Sequence, residues 1–458
     1  MNLARDFLRP VLGAAALALA ILAVSLSSPP AQAQGRPMNF IRDDETERLV
    51  RSYLNPILTV AGLQPSAVEL YVINDPSINA FVADGQKMFI NTGLIMELKT
   101  PAQIKGVLAH ETGHMAGGHL VRTQVAVRAA MVPMLLSVAA GIGAMVAGAG
   151  DAGAVIMMSG QQMFEREFFS FTRTQESAAD QAAVKYLTAT GQSSDGILEV
   201  FRRFEGQEIM SAQRIDPFAQ SHPASSERVA QLRALVESSP FHDKDSAEAQ
   251  YGYDMVQAKL RGYIQRPEVT LRQYPTTNTT KPGRYARAMA YFRQPDMKMA
   301  LSEINSLLAE EPNNPFFLEM FGQINVEMGK VEEGITPYKR AVEILPDAPL
   351  IRVALAAALL GTEKPQYTEQ ARFELETALN QESDNAYGWY VLADAYNRLG
   401  MTGKAQLATA ERYFAVGAYP MAMQFSVRAQ QQLQRGSRDW QRANDIMAVS
   451  QTQLPKRN

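Results

Sequence analysis

Three of the chain's five histidines fall in one short stretch, "VLAHETGHMAGGH", from Val107 to His119. His110 and His114 are four apart, so on a helix both imidazoles leave one face and can reach a single cation. Glu111 completes the order H-E-x-x-H, which joins two nitrogen ligands to a carboxylate able to take a proton from water. A tetrahedral Zn2+ held this way still needs one protein ligand and keeps one place for water. In the extended form H-E-x-x-H-x-x-G-x-x-H a third histidine would follow Gly117 by three residues, but Leu120 stands there. His119 misses that place by one residue, a rotation of about 100° on a continuous helix. It is therefore expected to be a structural histidine near the helix end.

The missing ligand is sought downstream. "TRTQESAAD" offers Glu176 and Asp180, again four apart, with small Ser177, Ala178 and Ala179 between them to allow close approach of another helix. One carboxylate can bind the ion while the other accepts the N–H of a ligating imidazole and fixes its ring. Further on, "SHPASSERVAQL" places His222 and Pro223 before a helix carrying Arg228; taken alone, this reads as a turn at a helix start. His242, in "SSPFHDKD", has no partner motif and reads as an exposed loop residue.

These side chains need elements to hold them. Residues 40–64 are apolar at helical spacing after an acidic start, and "VELYVIND" followed by "INAFVADGQKMFINTGLI" reads as two or three strands with a hairpin at Asp84-Gly85. The histidine helix is expected over 101–123, with Thr100 as N-cap, Pro101 at the first position and Gln103 at the third. From Ala129 to Gly150 no residue is charged. Its glycines, alanines and Pro133 make it weakly hydrophobic, so with the Gly/Ala-rich residues that follow, 129–160 is expected to be a mobile, partly helical flap that packs on the protein or touches a membrane surface. A helix resumes at about Gln161 and carries Glu176 and Asp180; others follow at about 194–206, 225–237 and 245–262.

The Pro/Thr-rich stretch 264–282 marks a domain boundary, and beyond it the pattern is helical with a repeating period. Pro312 and Pro346 are 34 residues apart, with Gly322, Gly329, Tyr338 and Ala341 between them at the offsets of a tetratricopeptide repeat. "WYVLADAYNRLG" supplies the first-helix signature of a later unit, and 349–383 fits only with an inter-helix turn about three residues longer.

Composition bounds the rest. The chain has 458 residues, 46% hydrophobic, with a net charge of only -3, so no basic field calls for nucleic acid. With no cysteine, disulfides and a lipoprotein anchor are excluded. Arg5 and Arg9, the apolar "VLGAAALALAILAVSL" and an A-x-A site ending at Ala33 have the layout of a secretory signal peptide. The organisation expected is a signal peptide over 1–33, a metalloprotease domain over 34–263, a linker over 264–282 and repeats over 283–458.

"HETGH", then "ESAAD" about sixty residues later, preceded by "NAFVADGQKMFINTGLI", resembles the zinc metallopeptidase family that includes the CAAX prenyl protease and the heat-shock protease HtpX. The signal peptide and C-terminal repeats resemble its periplasmic branch. The resemblance implies a mainly α protein: a gluzincin-type α+β metalloprotease domain with a small β-sheet, then an all-α repeat solenoid. It implies His110, His114 and Glu176 as zinc ligands, Glu111 as catalytic base and Asp180 as a second acid, for which an orienting role is the physically preferred reading. It also gives His222 a function, either as a ligand filling the open zinc position in a latent state or as an aid to the transition state. The activity implied is cleavage of misfolded or stalled outer-membrane β-barrel proteins, with the β-barrel assembly machinery as partner of the repeats. The rivals are a chaperone or assembly factor with a latent site, and a membrane-embedded protease.

Overall fold

The computed structural model describes residues 39–84, 86–147, 149–205, 217–242 and 245–454; the signal-peptide segment lies outside them. The fold is mostly helical with one small sheet. The described residues form two compact units: one ends at Gln250 and leaves out Arg42–Leu49, which groups with Tyr251–Asn458 in the other. That division lies upstream of the proline-rich stretch 264–282, which itself contains a short helix, Pro267–Gln273.

In the first unit, β1 (Phe40–Ile41), β2 (Glu69–Ile73), β3 (Ala80–Ala83) and β4 (Lys87–Asn91) form a sheet of order β1-β2-β4-β3. β2 and β4 run parallel; β3 returns antiparallel on β4, with Asp84 at φ 47° in the turn. β3 is thus an edge, its outer backbone groups unpaired within the sheet. Tyr71, Phe89 and Phe81 are cross-strand neighbours whose rings stack at 5.1 and 4.9 Å, which pins the register.

After α1 (Asp44–Val60) and α2 (Thr92–Glu97) comes α3 (Pro101–Ala116), the helix with H-E-x-x-H. Thr100 accepts the Gln103 N–H, and the Gln103 side chain accepts the Lys99 N–H at 2.6 Å, a reciprocal cap displaced by one residue from the expected box. α3 is buried nearly all round because it packs on β3, on α5 (Gly150–Ala189) and on α6 (Asp195–Phe204). Glycines permit this: a Cβ on Gly106 would lie 2.7 Å from Ile197, and one on Gly113 would lie 3.0 Å from the Ala179 backbone.

The expected helix 101–123 is broken. Gly118 adopts φ 61° and a new helix, α4 (His119–Val146), starts there. The 129–160 region is not a partly helical flap: α4 continues through Pro133, and α5 begins at Gly150 and runs for 40 residues. α7 (Pro217–Ser221) and α8 (Ser226–Glu237) complete this unit's site-bearing elements.

In the second unit, helices pair in sequence: Lys281–Arg293 with Met297–Glu310, Pro315–Glu327 with Val331–Ile344, Pro349–Gly361 with Thr368–Gln381, Ala386–Arg398 with Thr402–Ala415, and Tyr419–Gln432 with Arg438–Gln453. Small residues sit where the helices cross; a Cβ on Gly322 would meet the Tyr338 ring at 2.9 Å, and Ala341 is fully buried. The third pair's connector, 362–367, is three residues longer than 328–330 in the second, as the repeat frame expects.

Candidate metal centre

Four side chains from three segments meet at one point. His110 and His114 come from α3, Glu176 from α5, and His222 from the end of α7. His110 Nε2 lies 3.0 Å from His114 Nε2 and 3.2 Å from His222 Nδ1. Glu176 Oε2 is 3.1 Å from His222 Nδ1 and 3.4 Å from His110 Nε2, and its Oε1 is 3.3 Å from His114 Nε2. All four residues are buried. Three imidazole nitrogens and a carboxylate oxygen facing one another form the donor set of a divalent metal ion, so the residues fit such an ion.

The surrounding groups orient these donors. His110 Nδ1 is 3.0 Å from Asp180 Oδ1, so the ring's other nitrogen is directed inward. Arg228 in turn clamps Asp180 with Nε and a terminal nitrogen at 2.7 and 2.8 Å, and another terminal nitrogen lies 2.9 Å from Glu176 Oε2. Its guanidinium also stacks over Phe201, 4.4 Å from the ring centroid. The sequence places Arg228 in a motif but does not show what it touches, because its partners lie about fifty residues away on α5.

His119 is outside the converging set. Its Nδ1 is 2.9 Å from His114 Nδ1, so it faces the back of that ring. The expectation of a structural histidine assumed one continuous helix; the turn at Gly117–Gly118 re-aims the side chain, and a Cβ on Gly117 would strike its Nε2 at 2.4 Å. His242 is exposed and lies 3.2 Å from Asp195, away from these groups.

Charge follows geometry. Burial, then the neighbouring His110 ring, pushes the His114 imidazole down to about 3, which keeps it neutral with a lone pair to offer. Burial opposes charge on His222, but Glu176 and Glu111 outweigh it and push the ring up to about 10. His222 Nε2 is 3.2 Å from Glu111 Oε1. Burial would raise the Glu111 carboxyl, yet His222 and the other two rings hold it below the usual range. A cleft of about 1140 Å³ opens beside Glu176, lined by Phe169, Arg173, Pro223 and Arg228 among others.

A buried cation cage with an adjacent carboxylate, on a helix packed against an edge strand, defines a metallopeptidase. Residues 44–236 match the pattern of peptidase family M48. The chain is 24% identical over 400 residues to the beta-barrel assembly-enhancing protease of Escherichia coli (strain K12), covering 85% of this chain and 80% of that one. It is 23% identical over 378 residues to a putative beta-barrel assembly-enhancing protease of Vibrio cholerae, covering 80% and 76%. The mitochondrial metalloendopeptidase OMA1 of Schizosaccharomyces pombe is 27% identical over 191 residues, 41% of this chain and 52% of that one. Among solved structures, the TPR protein YrrB, described as having an unusual peptide-binding site, is 16% identical over 38% of this chain and 89% of its own, with a TM-score of 0.32; the repeat architecture here rests on the helix pairs themselves.

Proposed function

We propose that the chain is a periplasmic zinc endopeptidase, exported by a signal peptide cleaved after Ala33, that degrades misfolded or stalled outer-membrane β-barrel proteins and aids their assembly. The convergence of His110, His114 and Glu176 beside Glu111 carries the chemistry, and the names of the relatives carry the substrate class.

His110, His114 and Glu176 would hold one Zn2+. When bound, that ion supplies a Lewis acid for the scissile carbonyl and brings the pKa of its water toward neutrality. Glu111 takes the proton of the attacking water at its carboxylate and returns it to the leaving amine. Asp180, fixed by Arg228, orients His110. The edge strand β3 adds the substrate backbone as a further strand, giving affinity with little side-chain preference. The repeats present a surface to the β-barrel assembly machinery.

His222 is the gate. Its Nδ1 lies 3.2 Å from His110 Nε2 and its Nε2 3.2 Å from Glu111 Oε1, so this one ring would supply a fourth donor beside the ion and at the same time hold the base. This favours a latent resting state and explains how an assembly role can coexist with proteolysis. The test pairs two variants on a β-barrel client, with metal content measured in each. Glu111→Gln keeps the metal and lowers cleavage by about 10²- to 10⁴-fold while leaving assembly assistance; His222→Ala raises cleavage. Unchanged cleavage in Glu111→Gln would end the peptidase reading, and reduced cleavage in His222→Ala would make that ring a transition-state group.

A further inference from the structure

The hairpin of α4 and α5 is packed inside out for a protein in water. Its small residues lie between the helices: a Cβ on Gly141 would be 2.6 Å from the Gly153 carbonyl oxygen, and one on Gly160 would be 2.3 Å from Ser137 Cβ. Met145 and Met157 fill the space over these glycines, but other large apolar side chains point away, with Val132, Leu135 and Leu136 on α4 and Val155, Met158 and Met163 on α5 each more than half exposed. A helix pair stabilised by water does the reverse, because the driving force is removal of large apolar groups from solvent. Small residues at the crossing and large ones outside are how helices pair in lipid, where close backbone approach supplies the attraction.

Three further observations fit a bilayer. The arm from 129 to 164 carries one charge, Asp151 near the tip, and 129–146 is 18 helical residues, about 27 Å against a hydrocarbon core of about 30 Å. Its hydroxyls are satisfied within their own helices, Ser137 donating to the Pro133 carbonyl at 3.0 Å and Ser159 to that of Ile156 at 2.8 Å, as lipid requires. At the base stand Arg122 and Arg128 on α4 and Arg166 and Arg173 on α5, against Glu165 and Glu167, an excess of cations suited to anionic headgroups. A protein groove takes one apolar stripe of one helix; here the outer faces of both helices are apolar.

We infer that the hairpin over 129–164 enters a lipid bilayer tip first and seats the metal centre at the membrane surface. His114 is 15 residues before Ala129 and Glu176 is 12 after Phe164, so the centre stands on the order of 20 Å from the hydrocarbon edge. The reading does not depend on the peptidase assignment, since insertion needs neither metal nor cleavage.

The experiment is flotation of the chain from residue 34 to 458 with vesicles of phosphatidylethanolamine and phosphatidylglycerol, at low and raised salt. The wild type floats at both. The double variant Leu135→Asp, Leu136→Asp loses vesicle binding by at least about a hundredfold, since each aspartate is costly at bilayer depth, while metal content and thermal transition stay unchanged. A tryptophan at Leu135→Trp is quenched by acyl-chain-brominated lipid. Release at raised salt would leave only electrostatic adsorption by the base and overturn insertion. Self-association through the same residues without vesicle binding would overturn it in favour of a protein partner.

Discussion

The molecule buries ionisable groups densely in two places, and they differ in what their atoms face. In the second unit, Lys259 contacts Asp43, Glu45 and Glu319; Tyr285 donates to Glu45 at 2.9 Å; and Asp44 accepts the N–H groups of Leu350 and Ile351 at 3.1 Å each. Donors there meet acceptors, and the cluster is complete without help. In the first unit, nitrogen and oxygen atoms of four side chains converge on one another. Buried charge is therefore not a sign of function in itself. The sign is a set of metal-ligating atoms from separate segments aimed at a common point, here three imidazoles and a carboxylate.

The contrast can be broken by removing one member from each cluster. Lys259→Met strips the cation from three acids and should cost about 3 to 5 kcal/mol of stability, seen in urea unfolding, with metal content per chain unchanged. A loss of metal together with the fold's retention would mean that the clusters are not independent. Asp180→Asn removes the charge behind His110 while Arg228 keeps Glu176 and can still donate to the amide oxygen; metal affinity should fall about 10- to 100-fold in a chelator competition, with a loss of metal-free stability smaller than that of Lys259→Met. If melting falls and affinity does not, Asp180 is structural in the manner of the other cluster.

The smallest effect is that of pH. Burial pushes Asp44 up to about 7 and Glu319 up to about 8, each further raised by neighbouring acids. A carboxyl whose folded value lies above its unfolded one stabilises in its neutral form, so the contribution is full below about 4 and is lost as pH climbs through 7 and 8. The melting temperature of the intact chain should fall by a few degrees from pH 6 to pH 9, and Asp44→Asn should flatten that slope.

Much of this was legible in the sequence because it depends on local spacing. His110, His114, Glu176 and Asp180 are two i, i+4 pairs, and the repeats declare themselves through small residues at fixed offsets. What was hidden depends on chain reversals. His119 could not be placed without the left-handed turn at Gly118, and Arg228 acts across a fold that brings α8 onto α5. The acids at 43–45 read as an ordinary acidic helix start, and only packing against Lys259 makes them a buried cluster. The 129–160 stretch read as weakly hydrophobic and only partly helical, because the value of its glycines lies between two helices and not within either.

The two helices of the arm join the metal centre differently. α4 meets H-E-x-x-H through a joint at Gly117–Gly118, whereas α5 runs without proline from the tip to Glu176 and Asp180. Mechanically, one side of the cage is hinged to the arm and the other is the end of a rigid lever. A tilt of the arm would therefore reach the two carboxylates along one continuous helix, but His110 and His114 only across the Gly117–Gly118 joint and the His119–His114 contact.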